Sequence, residues 1–167
     1  MLPGIIVKPL KRLADERGYF IEIMRCDWKD LLGDCDIRQS NMSTTYPGIV
    51  RAWHMHERGQ VDHFLVINGG AKICAYDEKT RELDEIVATG KDLKVVRMPG
   101  QYWHGFRSIG QKPATLIYFT NRLYDPADPD EVRRPWNDEK IVPKAINGKR
   151  DDPRCGKRWS WFRPPHK

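Results

Sequence analysis

Three histidines and an aspartate lie within the segment 48–69, in and between two apolar runs that have the composition of β-strands. Alternate residues of a strand share a face, so His54 and His56 share a face with Val50 and Ala52. These small neighbours leave room for a ligand against the two imidazole rings. In the second run, Asp62 shares its face with apolar residues. A His-x-His pair on one strand and a carboxylate on the next is therefore a candidate site.

Two kinds of chemistry use such a set of side chains. A histidine titrates near neutral pH and can take or give a proton during catalysis. Several imidazoles together with a carboxylate can instead coordinate a metal ion. The residue types alone leave both possibilities open.

The elements that must position these residues are short strands separated by turns. Eight or more such runs follow one another with almost no helical pattern, apart from one turn at 28–32 that ends at Gly33. The sequence Asn-Gly-Gly at 68–70 predicts a hairpin. The segment 99–106 is expected to be a loop with His104 near its end. This pattern predicts an all-β sandwich or barrel, with the jelly roll as one option.

Composition narrows the class of protein. A chain of 167 residues is most simply one domain, and its net charge of +6 favours an anionic partner without choosing one. We find no apolar stretch long enough for a membrane span and no export signal, so we expect a cytoplasmic protein whose four cysteines are reduced. The lack of a Gly-rich phosphate loop and of Gly-x-Ser-x-Gly argues against Rossmann and P-loop enzymes.

Six segments resemble, in collinear order over residues 1–138, the dTDP-4-dehydrorhamnose 3,5-epimerase family. They are Asp-Glu-Arg-Gly-Tyr-Phe-Ile-Glu at 15–22, Gln-Ser-Asn-Met-Ser at 39–43, Val-Arg-Ala-Trp-His at 50–54, the loop ending in His-Gly-Phe at 99–106, Tyr-Phe-Thr-x3-Tyr at 118–124 and Pro-Trp-Asn-Asp at 135–138. The resemblance implies a cupin-type jelly-roll barrel over residues 1–138. A basic, aromatic and irregular or short helical tail over 139–167 would pack on this domain or on a dimer partner.

The implied activity is epimerisation of a dTDP-4-keto-6-deoxyhexose at C3 and C5, or at C3 alone, without a cofactor. Hydrogens on these carbons are acidic because they are α to the keto group. Epimerisation needs a base on one face of the sugar, an acid on the other and a partner for the enolate oxygen. By resemblance, His54 is the base, Tyr118 is the acid and His104 lies near the keto oxygen.

Further residues are expected, by resemblance, to hold the nucleotide and its diphosphate: Arg17, Phe20, Glu22, Gln39, Asn41, Arg51 and Tyr124. Arginine suits this role because its guanidinium group binds phosphate through two parallel hydrogen bonds. Residues near the N-terminus usually serve the partner's site in this family, so the resemblance implies a homodimer. Strict alternation puts Arg51 and His54 on opposite faces, and a bulge or a neighbouring subunit's pocket would be needed to reconcile them.

One position departs from the family. The lysine expected beside the keto oxygen is Asp62 here, and a carboxylate repels a forming enolate. The departure leaves a metal-binding cupin as an alternative, because the spacing of His54, His56, Asp62 and His104 is close to the ligand motif of metal-binding cupins. The two readings exclude each other, since a histidine bound to a metal cannot accept the substrate proton. A non-catalytic sugar-nucleotide-binding member is a second alternative.

Two features of the C-terminal region carry expectations of their own. The family's aspartate that orients the base lies near the C-terminus, where Asp151 and Asp152 are the candidates. The tail at 157–163 interleaves basic and aromatic residues, a composition that can suit nucleic acid. We expect it to pack on the body instead, and we expect neither a nucleic acid nor a membrane as partner.

Overall fold

The computed structural model describes residues 1–34 and 36–162, and strands dominate it. The strands are β1 (Ile6–Pro9), β2 (Leu13–Asp15), β3 (Gly18–Phe20), β4 (Gln39–Thr45), β5 (Val50–Met55), β6 (Val61–Asn68), β7 (Gly70–Asp77), β8 (Glu82–Thr89), β9 (Lys94–Pro99), β10 (Trp103–Ser108), β11 (Ala114–Thr120), β12 (Val132–Arg133) and β13 (Ala145–Ile146). Helix α1 spans Lys29–Leu32 and Gly33 follows it, as the sequence predicts. No described helix has the length and apolar character needed to cross a membrane.

The strands form two main sheets. Sheet 1 has the order β1-β9-β6-β11-β4, and sheet 2 has the order β12-β5-β10-β7-β8-β13. The strands β2 and β3 form a separate hairpin. All pairs are antiparallel except β13 with β8. The all-β class expected from the strand pattern is therefore confirmed.

The main core lies between the two sheets because each strand turns alternate apolar side chains inward. Phe64 and Leu116 of sheet 1 face Ile73, Ala75 and Phe106 of sheet 2 in one buried cluster. This packing fixes the strands that carry the candidate residues.

Each sheet is also covered on its outer side. Leu31 of α1 packs on Leu65 and Val95 of sheet 1. On sheet 2, Trp159 and Trp161 pack against Trp53, with ring centroids 5.4 and 5.2 Å away. The buried indole rings are not exposed to stack on nucleic-acid bases. Where a domain would end and a tail begin, near residue 138, stays a prediction, and residues 163–167 of the tail lie outside the described residues.

The hairpin predicted at 68–70 is wrong. β6 belongs to sheet 1 and β7 to sheet 2, so the chain crosses between the sheets at this point. Gly69 has a φ of +69°, and a Cβ there would lie 2.2 Å from the Pro113 carbonyl oxygen. The glycines thus serve a tight crossing, and turn-forming residues alone do not reveal whether two strands stay in one sheet.

The cysteines do not form a metal or redox motif in the described part of the chain. Cys26, Cys74 and Cys155 are free thiols. Cys35, which was also expected to be reduced, lies outside the described residues.

Candidate active site

A cleft of about 720 Å³ has walls from β4, β6 and β11 of sheet 1, from β5 of sheet 2 and from the segment 122–134. Its volume suits a small-molecule ligand. Six of the residues predicted for catalysis or substrate binding line it: Gln39, Asn41, Arg51, His54, Tyr118 and Tyr124. Four others, Arg17, Phe20, Glu22 and His104, are not among its lining residues.

One wall is a row of polar side chains on β4. Gln39, Asn41 and Ser43 alternate with exposed residues and all face the cleft. The Gln39 amide nitrogen donates to Asn41 Oδ1 at 2.8 Å. The Gln39 side-chain oxygen accepts a hydrogen bond from the Tyr124 backbone N–H at 2.8 Å. Asn41 lies opposite Tyr118 on β11. These contacts hold a wall of uncharged donors and acceptors beside the phenol.

A bulge in β5 brings Arg51 to the same side as His54. His104 of β10 lies opposite His54 and Phe106 lies opposite Arg51, so β5 has one residue more than its partner between these pairs. A bulge is one of the two arrangements, besides a neighbouring subunit's pocket, that would let Arg51 and His54 serve one site. The Arg51 Nε donates to Thr45 Oγ1 at 2.9 Å, and the guanidinium group lines the cleft.

Gly105 makes room for this bulge. A Cβ at residue 105 would lie 2.5 Å from the Arg51 carbonyl oxygen and 2.4 Å from the Ala52 Cβ. The loop predicted at 99–106 is therefore partly wrong, because its second half belongs to β10. Gly105 allows the close approach of β5 because it has no Cβ.

His104 lies behind the cleft wall. It is fully buried, and its ring centroid is 4.1 Å from that of His54. Its Nδ1 must carry a proton, because it lies 2.8 Å from the Tyr102 carbonyl oxygen. Its Nε2 lies 3.3 Å from Asp62 Oδ2. In this position His104 packs against His54 and is not among the residues that line the cleft.

Asp62 is the centre of a buried polar cluster. Its Oδ1 accepts a hydrogen bond from the Gln60 amide at 2.8 Å, and its Oδ2 lies 3.5 Å from His56 Nε2. His56 Nδ1 in turn donates to the Asp130 carbonyl oxygen. Asp62 lines the cleft, but both of its oxygens have partners from the protein, so the carboxylate does not face the cleft unpaired.

The cluster favours positive charge at His56. The Nε2 atoms of His56 and His104 both face Asp62 Oδ2, while each Nδ1–H is used by a backbone carbonyl. A proton on Nε2, or a bound cation, would make these contacts attractive, and the Gln60 amide nitrogen lies 3.2 Å from His56 Nε2 as a further partner. Burial opposes the charge of Asp62, but its hydrogen bonds with His104 and His56 outweigh burial and hold its pKa well below the usual range.

The surroundings shift the pKa values of His56 and His54 in opposite directions. Burial alone lowers the pKa of His56, but the Asp62 carboxylate outweighs burial and raises it above the ordinary 6.5. For His54, burial and the neighbouring His104 lower the pKa well below 6.5. His54 is therefore neutral at neutral pH and can accept a proton.

The pKa of Tyr118, unlike that of His54, is raised. Burial and the charge of Asp62 raise the pKa of its phenol above the ordinary value of 10. Its ring packs near Phe64, with centroids 6.1 Å apart. At neutral pH the side chain is therefore a protonated group that lines the same cleft as His54 and can give up a proton.

Five arginines line the cleft, but only some are already paired. Three of them bind carboxylates: Arg58 with Asp128, Arg133 with Glu131 and Arg134 with Glu78. Among the residues that the structure describes, no ion pair forms at Arg51 or Arg122. These two guanidinium groups are the ones that an anionic ligand can use.

The remaining predicted residues lie elsewhere on the chain. Arg17 pairs with Asp15 at 2.5 Å on the β2–β3 hairpin, and Phe20 is 62% exposed there. Glu22 pairs with Arg25. The candidates for orienting His54 do not line the cleft either: Asp151 is exposed, and Asp152 binds Arg154 through both oxygens.

The structure places at the cleft several residues that sequence reasoning missed, among them Gln60, Arg122 and Asp130. Gln60 lies two positions before Asp62, so strand alternation could have indicated a shared face. Arg122 and Asp130 lie in a segment without periodicity, which offers no such signal.

Comparisons with known proteins agree with this fold. The family model described as the polysaccharide biosynthesis C-terminal domain matches residues 13–132. A probable low-salt glycan biosynthesis epimerase of Haloferax volcanii is 42% identical over 136 residues, which cover 78% of this chain and 86% of that protein. The spore coat polysaccharide biosynthesis protein SpsL of Bacillus subtilis is 38% identical, with 84% and 94% covered.

Among solved structures, a dTDP-6-deoxy-D-glucose-3,5-epimerase of Legionella pneumophila, in complex with dTDP-4-keto-L-rhamnose, superimposes with a TM-score of 0.73 at 22% identity. The match covers 84% of this chain and 77% of that one, and it confirms the predicted cupin-type jelly roll. The chain thus belongs to the polysaccharide biosynthesis C-terminal domain family and has the fold of the dTDP-4-dehydrorhamnose 3,5-epimerases, as its sequence motifs indicate.

Proposed function

We propose that the protein is a nucleotide-sugar epimerase that removes and returns a proton α to the keto group of a dTDP-4-keto-6-deoxyhexose. The observation that carries the proposal is that a neutral histidine, His54, and a protonated phenol, Tyr118, line one cleft. Membership of a family with a named epimerase 42% identical to this chain supports it. The uncharged row on β4 and the unpaired Arg51 suit a sugar and a diphosphate.

The proposed reaction follows from these positions. His54 takes the proton from C3, or from C5, and the electron pair of the broken C–H bond moves into an enolate. Tyr118 then donates a proton to the opposite face of the same carbon, which inverts it. In this scheme the positive charge that a lysine supplies in the family comes from protonated His56, which lines the cleft and offsets the negative charge of the enolate.

The test is proton NMR in D2O with dTDP-4-keto-6-deoxyglucose and purified protein, with the UDP-linked sugar run in parallel. The proposal predicts loss of the C3 and C5 signals, or of the C3 signal alone for a single-centre epimerase. Binding of the nucleotide sugar without any exchange would indicate the non-catalytic alternative. Absence of both binding and exchange would contradict the proposal for these sugars.

A metal centre is a second candidate for the same cluster, and one specific observation favours it. One ligand atom from each of His54, His56, Asp62 and His104 lies within 4.8 Å of the others. Metal-bound histidines typically donate their second nitrogen to a carbonyl, as His56 and His104 do. Three imidazoles and a carboxylate suit iron, manganese, nickel or zinc. Such an ion would supply a Lewis acid for the keto oxygen.

We place the metal centre second because the relatives reported above are named for epimerisation and polysaccharide biosynthesis and not for a metal. Elemental analysis of the purified protein and thermal unfolding before and after chelation distinguish the candidates. A metal centre predicts about one ion per chain and a lower melting temperature after chelation. The proton-transfer proposal, with His54 as a free base, predicts that chelation changes neither stability nor exchange.

We also propose that the protein works as a cytoplasmic homodimer in which Arg17, Phe20 and Glu22 serve the partner's cleft. The β2–β3 hairpin exposes Leu13, Tyr19 and Phe20, and exposed apolar groups of this kind are typical of interfaces. Mixing the inactive variants His54→Asn and Arg17→Ala tests the arrangement. Random exchange of subunits should restore about a quarter of wild-type activity, since half of the dimers then contain one intact site. No recovery in mixed dimers would contradict it.

A further inference from the structure

The segment 122–134, which we call the strap, forms one wall of the cleft and crosses from sheet 1 to sheet 2. It begins after β11 and ends in β12, where Val132 lies opposite Met55 and Arg133 lies opposite His54 on β5. Between these ends the strap binds the turn that joins β5 to β6 through an ion pair and hydrogen bonds. The Arg58 guanidinium binds the Asp128 carboxylate at 2.5 Å, and the Arg122 guanidinium donates to the Arg58 carbonyl oxygen.

Asp130 makes the central contact between the strap and this turn. Its Oδ1 accepts hydrogen bonds from the backbone N–H groups of Glu57 and Arg58, both at 3.0 Å. Its backbone carbonyl accepts the Nδ1–H of His56. The side chain and the main chain of one residue therefore hold the end of β5 and the histidine that points from it.

We infer that Asp130 is a positioning residue that fixes His56 in the tautomer or protonation state with hydrogen on Nδ1, so that Nε2 points at Asp62. A carbonyl oxygen can only accept, so the ring cannot make this contact without a proton on Nδ1. The carboxylate matters because it clamps the strap backbone against the turn 57–58. Without the clamp, the carbonyl is free to move and the ring loses the contact that sets its orientation.

The inference deepens the proposed function and rests on it in taking the cleft as the active site. It does not depend on whether protons or a metal ion provide the positive charge at Asp62, because both need Nε2 of His56 to face the cluster. Other groups at His56 do not fix its Nδ1: Gln60 and Asp62 both lie on the Nε2 side, at 3.2 and 3.5 Å.

The test compares Asp130→Ala with Asp130→Asn by nitrogen-15 NMR of the histidine side chains. Asparagine keeps an oxygen that can accept from Glu57 and Arg58, whereas alanine removes the clamp. We expect Nδ1 of His56 to be protonated in the wild type and in Asp130→Asn. In Asp130→Ala we expect a mixture of tautomers and a fall in kcat of about tenfold or more. Asp77→Ala removes a carboxylate that accepts a backbone N–H in a remote turn and serves as the control for folding.

Each outcome bears on the assignment. A wild-type His56 without a proton on Nδ1 overturns it without any variant. An unchanged His56 spectrum and unchanged kcat in Asp130→Ala also overturn it, as does an Asp130→Asn variant as impaired as Asp130→Ala. Since the tautomer is read without substrate, absence of exchange in the wild type would overturn the proposed function while leaving the role of Asp130 intact.

Discussion

Arg51 and His54 both line the cleft although an uninterrupted strand would place them on opposite faces. The β5 bulge, accommodated by Gly105 on β10, turns a residue suited to phosphate and a residue suited to proton transfer into the same space. The proposed reaction therefore places the diphosphate of the substrate near Arg51 and its reacting carbon near His54.

Replacing Gly105 by alanine should destabilise the fold, because the new Cβ would meet the backbone of Arg51 and Ala52 at 2.5 and 2.7 Å. Overpacking of this kind costs about 1–3 kcal/mol, which corresponds to a loss of several degrees in melting temperature. Calorimetry measures it. Gly70→Ala is the comparison within the same sheet, since its nearest neighbours are side-chain atoms of Ile109 at 3.1 and 3.5 Å. Equal melting temperatures for Gly105→Ala and the wild type would contradict the close approach.

Replacing Arg51 by alanine should weaken binding of dTDP about tenfold or more, because a charge-assisted hydrogen bond to phosphate is lost. Arg51→Lys should recover only part of the affinity, since an ammonium group cannot bind two phosphate oxygens side by side. Titration calorimetry at two salt concentrations measures the effect. Arg38→Ala, an exposed arginine outside the cleft, is the control. Unchanged affinity in Arg51→Ala would show that the diphosphate lies elsewhere.

Replacing Tyr118 by phenylalanine should separate proton removal from inversion. The ring still packs near Phe64, but the phenolic proton is gone, so reprotonation on that face should slow by about a hundredfold or more. His54 should still exchange the hydrogen on its own face with solvent. NMR in D2O then shows deuterium in recovered substrate with little epimer. If inversion and exchange fall together, Tyr118 is not the acid of a two-base mechanism.

The pH dependence of kcat/KM follows from the pKa shifts of His54, His56 and Tyr118. His54 must be neutral to act as base, and its pKa lies below 6.5, so activity should persist below pH 6.5 and fall as the pH drops through the lowered pKa. Tyr118 must be protonated, and its pKa lies above 10, so the phenol itself limits activity only beyond pH 10. The proton of His56, whose pKa is raised above 6.5, is lost before that of the phenol and should set the alkaline limit. Rate profiles for exchange at C3 measure both limits. An acidic limit at or above pH 6.5 would contradict the assignment of His54.

Sequence patterns indicated much of this arrangement. Alternation placed Gln39, Asn41 and Ser43 on one face, and that face lines the cleft. The family motifs named His54 and Tyr118, which the structure brings to the same cleft; their catalytic roles stay predictions. These features depend on local spacing along single strands, which a sequence displays directly.

Other features depend on contacts between distant segments and could not be predicted in this way. The contact between Asp62 and His104 requires β6 and β10 to lie on facing sheets. The clamp of Asp130 on the turn 57–58 requires a segment without periodicity to return across the cleft. Gly105 leaves room for the neighbouring strand β5, and the segment 99–106 alone gives no sign of this contact.

The decisive experiment is proton NMR of dTDP-4-keto-6-deoxyglucose in D2O with the wild type and with His54→Asn, at matched protein and metal content. We predict loss of the C3 signal, with or without C5, for the wild type. For the variant we predict no exchange above the enzyme-free rate, with its fold intact by circular dichroism. Exchange at the wild-type rate by His54→Asn would contradict the role of His54 as the base.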